Sequence, residues 1–278
     1  MRVIDVLDPA DPRLDDLRDL NNSDRRPDLP GGRGLVIAEG TYVVGRMLLS
    51  RFRPHVMLGT DTRLTQLRRE AAVEGWDADE RAGDAVYLRA SKELISEVIG
   101  FRSSRDILAA AGRPEPLTVE SVVKGARTLV VLEGVNDPEN LGAIFRNCAA
   151  LGVDGVLFGA ATGDPLYRRV VRVSMGHVLR LPFAHLPGTP TTWQRSLEGL
   201  HDRGFRTVAL TPHADTPLSQ AVDAEKVAFL LGAEGPGLTE HAMRACDVRA
   251  AIPMTDGTDS LNVATAAAVA FYERARGG

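Results

Sequence analysis

IPMTDGTDSLNVATAAAVAFYE, from Ile252 to Glu273, changes character three times along its length. The apolar segment that leads into it, Arg249 to Pro253, suits the end of a buried strand. Met254 to Asp259 is polar and reads as a loop, with Gly257 free to take a backbone conformation closed to other residues. Ser260 and Asn262 stand where a helix should start. Val263 to Tyr272 is almost all small or apolar, so that helix is expected to be buried along much of its length. A loop rich in backbone donors, pressed between a strand end and a buried helix, suits a small ligand. Taken alone, a well-capped core helix is the plainer reading.

Two stretches upstream repeat the arrangement. RTLVVLEG, Arg127 to Gly134, is a nearly continuous apolar run, as in a strand buried on both faces of a parallel sheet. The loop VNDPEN and the helix LGAIFRNCAALG follow, with Asn140 placed to cap that helix. Arg146 falls about two turns in, among Ile144, Cys148 and Leu151; it is either a snorkelling surface group or one aimed at a cleft. VAFLLG reads as a later strand, and the glycine-rich AEGPG separates it from the helix LTEHAMRAC. Glu234 sits among those glycines at a strand's carboxyl end, where open α/β sheets bind ligands. With DGVLFG and FRTVAL as further strands and TTWQRSLEGLHDRG as a helix, the alternation predicts a doubly wound parallel sheet over residues 127–278.

A smaller α/β layer domain is expected over residues 33–111. Its strands are LVIAEG, PHVMLG and DAVYLRA; its helices are TYVVGRMLLSRF, RLTQLRREAAVEG and SKELISEVIG. Residues 112–126, GRPEPLTVESVVKGA, carry two prolines and few core residues and read as a linker. Residues 1–32 are rich in Asp, Arg and Pro with little periodicity, which predicts a polar arm. That arm includes Arg25 and Arg26, candidates for a phosphate contact, although a solvated arm is the plainer reading. The small domain also carries Arg46, Arg51, Arg53, Arg68 and Arg69, and a charge run of this kind is usually a solvated face.

The 278 residues, 44% hydrophobic and 25% charged, leave room for two cores and are typical of a soluble protein. No apolar run approaches the roughly 20 residues that cross a bilayer, and MRVIDVLDPADPRLDD carries no signal-peptide pattern. No membrane association is expected. Cys148 and Cys246, both in predicted helices, offer neither a disulfide framework nor a metal-ligand cluster, so no metal and a reducing cytoplasm are expected. The net charge of −4 advertises no nucleic-acid partner. No G-x-x-x-x-G-K-[ST] phosphate loop occurs and no G-x-S-x-G elbow, which sets aside those nucleotide-hydrolase and serine-hydrolase classes. GAEGPG has the wrong spacing for a dinucleotide fingerprint.

Taken together, LEGVNDPENLGAIFRNCAALGV, FLLGAEGPGLT and IPMTDGTDSLNVATAAAVAFYE resemble, in this order, the three signature motifs of the SpoU group of RNA ribose 2′-O-methyltransferases, within the SPOUT superfamily. AEGTYVVGRML, with Glu39, Gly40 and Val44, looks like the start of the L30e-like substrate-binding domain that many members carry. VRVSMGHVLRLPF, with Arg172, Ser174 and Gly176, is similar to a further family segment.

The resemblance implies S-adenosylmethionine bound in a C-terminal trefoil knot, an exception to the rule that chains are unknotted. It implies cofactor contacts from Thr211, Gly232, Ile252 and Leu261, and catalytic roles for Asn140, Arg146, Glu234, Ser260 and Asn262. Glu234 would orient Asn140 or Arg146. Arg46, Arg51, Arg53, Arg168 and Arg172 are the candidate RNA contacts. A metal-free homodimer acting on RNA is implied, with ribosomal RNA placed ahead of transfer RNA because of the extra domain. A non-catalytic RNA-binding or assembly protein on the same fold is the reading from another class.

Overall fold

The computed structural model describes residues 1–20, 34–255, 257 and 259–277. Arg25 and Arg26 lie outside the described residues. The chain divides into two compact units, Met1–Glu115 with Pro165–Arg180, and Pro116–Asp164 with Leu181–Gly278.

Unit 1 is built on a five-stranded sheet of β1 (Arg2–Asp5), β2 (Leu35–Glu39), β3 (Pro54–Gly59), β4 (Val86–Arg89) and β5 (Ile107–Gly112), in the order β1-β4-β3-β5-β2. Pairs β1–β4 and β3–β4 are parallel, whereas β5 runs antiparallel to both β3 and β2. Three of these strands match the sequence expectation. The other two, β1 and β5, do not announce themselves: RVID is short and mostly exposed, and ILAAAG lacks alternation because almost all of it is buried.

The lead-in differs from the polar arm expected of it. β1 pairs with β4 from Arg2↔Val86 to Asp5↔Arg89, and a 3-10 turn at Pro12–Leu17 inserts Leu14 and Leu17 into the core. Two leucines three residues apart are too few to make a periodic pattern, yet they bury completely against the sheet.

Unit 2 is built on a seven-stranded sheet. Its members are β6 (Thr128–Leu132), β7 (Gly155–Phe158), β8 (Phe183–His185), β9 (Phe205–Leu210), β10 (Thr216–Pro217), β11 (Lys226–Leu231) and β12 (Val248–Ala251). The order is β10-β12-β9-β11-β6-β7-β8 and every pair is parallel, so the expected doubly wound α/β fold is present. The central strands TLVVL and KVAFLL are apolar nearly throughout because helices cover both faces.

The helix Pro138–Ala150 is capped by Asp137, not by Asn140. The Asp137 carboxylate accepts from Glu139 N and Asn140 N, each at 2.9 Å, with Pro138 in the first turn. Asn140 is therefore inside the helix and buried, its side chain released for other work. The C-terminal helix Val263–Gly277 buries one face only, Val263, Ala264, Ala267, Ala270 and Phe271, while Val269 and Tyr272 are exposed. Expected burial along much of this helix thus holds for one stripe. Arg274 ties its end down by donating to the carbonyls of Val222, Ala224 and Glu225 at 3.0, 2.6 and 2.7 Å.

Two boundaries also differ from the sequence reading. The stretch taken as a linker holds the helix Val119–Val123, and Val122, Val123 and Ala126 join the unit 2 core beside Leu129, Leu157 and Trp193. Pro165–Arg180, interior to the second half of the sequence, groups with unit 1, where its helix Arg168–Val173 packs on β2. Cys246 lies just beyond the helix Glu240–Arg244 instead of in it, whereas Cys148 is helical as expected. No helix among the described residues is long and apolar enough to cross a membrane.

Candidate active site

Three neighbouring strands of the unit 2 sheet, β12, β9 and β11, deliver their carboxyl ends to one side of it. There the chain leaves regular structure at Ile252, Thr211 and Gly232. A cavity of about 480 Å³ opens among these three exits and the start of the C-terminal helix. Its apolar lining includes Leu210, Leu231, Leu238, Met243 and Val263, and its polar rim includes His213, Glu234, Ser260 and Asn262. Strand ends place unpaired backbone groups in such a crevice, so a ligand meets main-chain donors and acceptors over an apolar floor.

Gly232 is required by close backbone approach. A Cβ built on it would stand 2.2 Å from Gly237 C and Leu238 N, and 2.6 Å from Gly237 O. The AEGPG loop folds back on itself there, with Gly237 N donating to Ala233 O at 3.0 Å. Any side chain at 232 would force that loop open. Thr211 is held to its neighbour strand, its N–H donating to Ala250 O at 3.0 Å.

Asn262 is the junction of the polar rim. Its Nδ2 donates both protons, one to Asn140 Oδ1 at 2.8 Å and one to Glu234 Oε1 at 2.6 Å. Its Oδ1 meanwhile accepts from Ala264 N at 3.0 Å and Thr265 N at 3.2 Å, capping the C-terminal helix. One side chain thereby joins all three sequence motifs. Glu234 orients Asn262 in this arrangement, not Asn140 or Arg146. A second tie between the same helices comes from Asn147, whose Nδ2 donates to Ala264 O at 2.8 Å.

Glu133, at the end of β6, is buried and structural. It accepts from Trp193 Nε1 at 3.0 Å, Thr239 N at 2.8 Å and Thr239 Oγ1 at 3.0 Å. Thr239 in turn caps the helix Glu240–Arg244, so this carboxylate fixes where the glycine-rich loop ends.

All four proposed cofactor residues, Thr211, Gly232, Ile252 and Leu261, line the cavity. Of the five proposed catalytic residues, Glu234, Ser260 and Asn262 line it and Asn140 bonds to one that does. Arg146 is not in the lining. It is exposed on the helix Pro138–Ala150, and among the described residues its side chain makes no hydrogen bond or ion pair. Sequence reasoning missed His213 and Met243 as cavity residues. His213 carries a readable signal, since it stands three residues past β9, whose carboxyl end opens on the cavity beside those of the motif strands β11 and β12. Neither cysteine is suited to be a nucleophile: burial pushes the Cys246 thiol up to about 12 and the Cys148 thiol upward as well.

The proposed RNA-contact arginines have varied surroundings in unit 1. Arg46 donates to Met175 O, Arg51 to Glu115 O at 2.7 Å, and Arg168 to the buried Glu39 carboxylate. Arg53 is exposed and Arg172 half-buried, with no side-chain partner among the described residues.

A family model, the SpoU rRNA Methylase family, matches residues 127–272. An uncharacterized tRNA/rRNA methyltransferase of Mycobacterium tuberculosis is 58% identical, across 99% of this chain and 93% of its own. An AdoMet-bound rRNA methyltransferase from Sinorhizobium meliloti superposes with a TM-score of 0.75 at 24% identity, covering 99% of this chain and 98% of its own. An RNA 2′-O ribose methyltransferase structure matches with a TM-score of 0.75 at 24% identity, covering 99% of both chains.

Proposed function

This chain belongs to the SpoU rRNA methylase family, and as such we propose that it transfers a methyl group from S-adenosylmethionine to a ribose 2′-hydroxyl of RNA. The observation that carries this is the convergence of the second and third signature motifs on one cavity, to which the first is tied by the Asn140–Asn262–Glu234 bonds.

The cavity suits that cofactor on its own terms. Its floor is apolar, its edges are strand-end main chain, and Gly232 lets the backbone come close. Thr211, Gly232, Ile252 and Leu261 would hold the cofactor. When bound, it supplies an electrophilic sulfonium methyl group. The chain's own task is to align the ribose oxygen and to receive its growing negative charge. Asn140, Ser260 and Asn262 position the sugar, and Glu234 fixes Asn262. Arg146, exposed and uncommitted, is assigned as the clamp on phosphate and oxyanion. Its guanidinium holds its proton too tightly to be a working base, so its role is electrostatic.

Ribosomal RNA is the proposed target, ahead of transfer RNA, because unit 1 adds a second body, read as L30e-like, to the catalytic one. The setting proposed is the cytoplasm. A homodimer with a knotted catalytic unit is part of the same reading. Val269 and Tyr272, exposed on the C-terminal helix with Leu261 just before it, offer an apolar face to a second copy. Light scattering should give twice the 29.9 kDa chain mass; a clean monomer at micromolar concentration contradicts the dimer.

Calorimetry with S-adenosylmethionine in the presence of a chelator tests the cofactor. Folded protein that gives no heat at high ligand concentration removes the transferase reading and leaves the non-catalytic one. Arg146→Ala should then keep cofactor affinity within a few-fold while methyl transfer to ribosomal RNA falls by ~10²-fold. Arg146→Lys should rescue little, since a point charge does not reproduce a planar two-pronged clamp. Full activity in the alanine variant would show that the catalytic centre is assigned to the wrong residue.

A further inference from the structure

Unit 1 holds a second concavity, of about 180 Å³, that no step above uses. Glu39 lies in its lining with its carboxylate only 4% exposed, paired with Arg168 and standing 3.6 Å from Arg105 Nη1. Arg63 and Arg105 contribute to the wall. Arg63 Nη1 donates to Gln66 Oε1 at 2.7 Å and its Nη2 to Ser104 O at 3.2 Å, both neutral acceptors, so its charge stays unneutralised. The Arg105 stem lies over Gly40, its Cδ 3.3 Å from where a Cβ would stand, and the Arg105 side chain keeps 40% of its surface exposed. Among the lining residues two arginines stand against one carboxylate, which leaves this rim positive.

Tyr42, from the first turn of the helix Thr41–Leu48, completes the lining. It is 58% exposed, and among the described residues it has no hydrogen-bond or ring partner. Most of the aromatic rings in the chain are packed in the cores, and Phe52, Tyr87, Phe145 and Trp193 are almost wholly buried. A large ring left in solvent beside two positioned guanidinia needs a partner with a flat face and an anionic neighbour. A nucleotide of unpaired RNA has both: the base stacks on the ring, and the phosphate meets the arginines.

We propose that this concavity is a subsite for one unstacked nucleotide of the RNA substrate, with Tyr42 as the stacking platform and Arg63 and Arg105 as the phosphate contacts. The inference rests on the reading that the chain acts on RNA, and it adds where a single base is taken up outside the methyl-transfer cavity. The smaller volume, 180 against 480 Å³, suits one base and not a whole cofactor.

The test uses the full chain and a fluorescein-labelled, unstructured 12-nucleotide RNA of mixed sequence, followed by anisotropy. Tyr42→Leu keeps apolar bulk without a π face and is expected to weaken binding about 5- to 150-fold, the range for loss of one stacked base. Tyr42→Phe should bind within about two-fold of the unaltered chain, because stacking does not need the hydroxyl. Arg105→Gln should lower the salt dependence by about one ion. Melting temperatures on the same preparations separate binding from folding, and should the leucine variant melt early, the Phe and Gln variants carry the test. Unchanged affinity in Tyr42→Leu overturns the subsite, as does equal weakening in Tyr42→Phe, or no binding of the oligomer by the unaltered chain at tens of micromolar. Cofactor calorimetry on these samples keeps the two readings apart. Cofactor heat with no effect at Tyr42 removes the subsite alone. Loss of RNA affinity at Tyr42 without cofactor heat keeps the subsite and removes the transferase.

Discussion

Around the unit 2 cavity the polar side chains bond to one another and to helix ends, whereas the arginines of unit 1 bond mostly to oxygens of their own fold. Asn262 spends two donors and an acceptor on joining three motifs, and every partner belongs to the same site. Arg46, Arg51 and Arg168 spend theirs on Met175 O, Glu115 O and Glu39. Arg51 also lies over the Phe52 ring, 5.0 Å from its centroid, and burial lowers its pKa from the ordinary arginine value. The lesson is about counting. A run of arginines in a sequence overstates the cationic surface offered to RNA, because a guanidinium is equally good at tying down carbonyls and a buried carboxylate. A glycine loop with a lone carboxylate understates its site, because most of what it provides is backbone.

This contrast is open to four substitutions. Gly232→Ala should have the largest effect, since the added methyl meets main chain at 2.2 Å. A loss on the order of 4 kcal/mol in stability or cofactor binding is expected, read by thermal melting and calorimetry. A variant that folds and binds normally would mean the loop is soft and the backbone argument fails. Next, Arg168→Ala leaves Glu39 buried with a more distant partner and should destabilise unit 1 by about 3 kcal/mol in urea unfolding. If it instead melts normally and loses RNA affinity, Arg168 acts as one of the RNA contacts.

Asn262→Ala removes a helix cap and two side-chain hydrogen bonds. It should cost about 1.5 kcal/mol of stability in urea unfolding and lower methyl transfer more than cofactor affinity. Equal losses in both would make it only a structural tie. Arg53→Ala should do least. Being exposed and without a side-chain partner among the described residues, it is expected to leave stability unchanged, to weaken RNA binding about two-fold, and to lower the salt slope by about one. An early melt in this variant would erase the distinction drawn among these arginines.

Much of this protein was determined by local sequence. Apolar runs such as TLVVL and KVAFLL specify buried parallel strands whatever surrounds them, since a strand covered on both faces has no polar side to show. The three motifs name their site because each lies at a strand end, and a parallel sheet gathers the ends of neighbouring strands on one edge. Tertiary structure alone decided the rest. RVID becomes a strand only because β4 has an open edge to pair with, and Leu14 and Leu17 become core only because a sheet lies beneath them. The capping of Pro138–Ala150 by Asp137 frees Asn140 to meet Asn262, 122 residues away, and a bond between residues so distant has no local signature. The same holds for Arg168, whose partner Glu39 lies 129 residues earlier. Hydrogen bonds and ion pairs of this kind depend on where the backbone brings two side chains together, and residue type sets only what each can do on arrival.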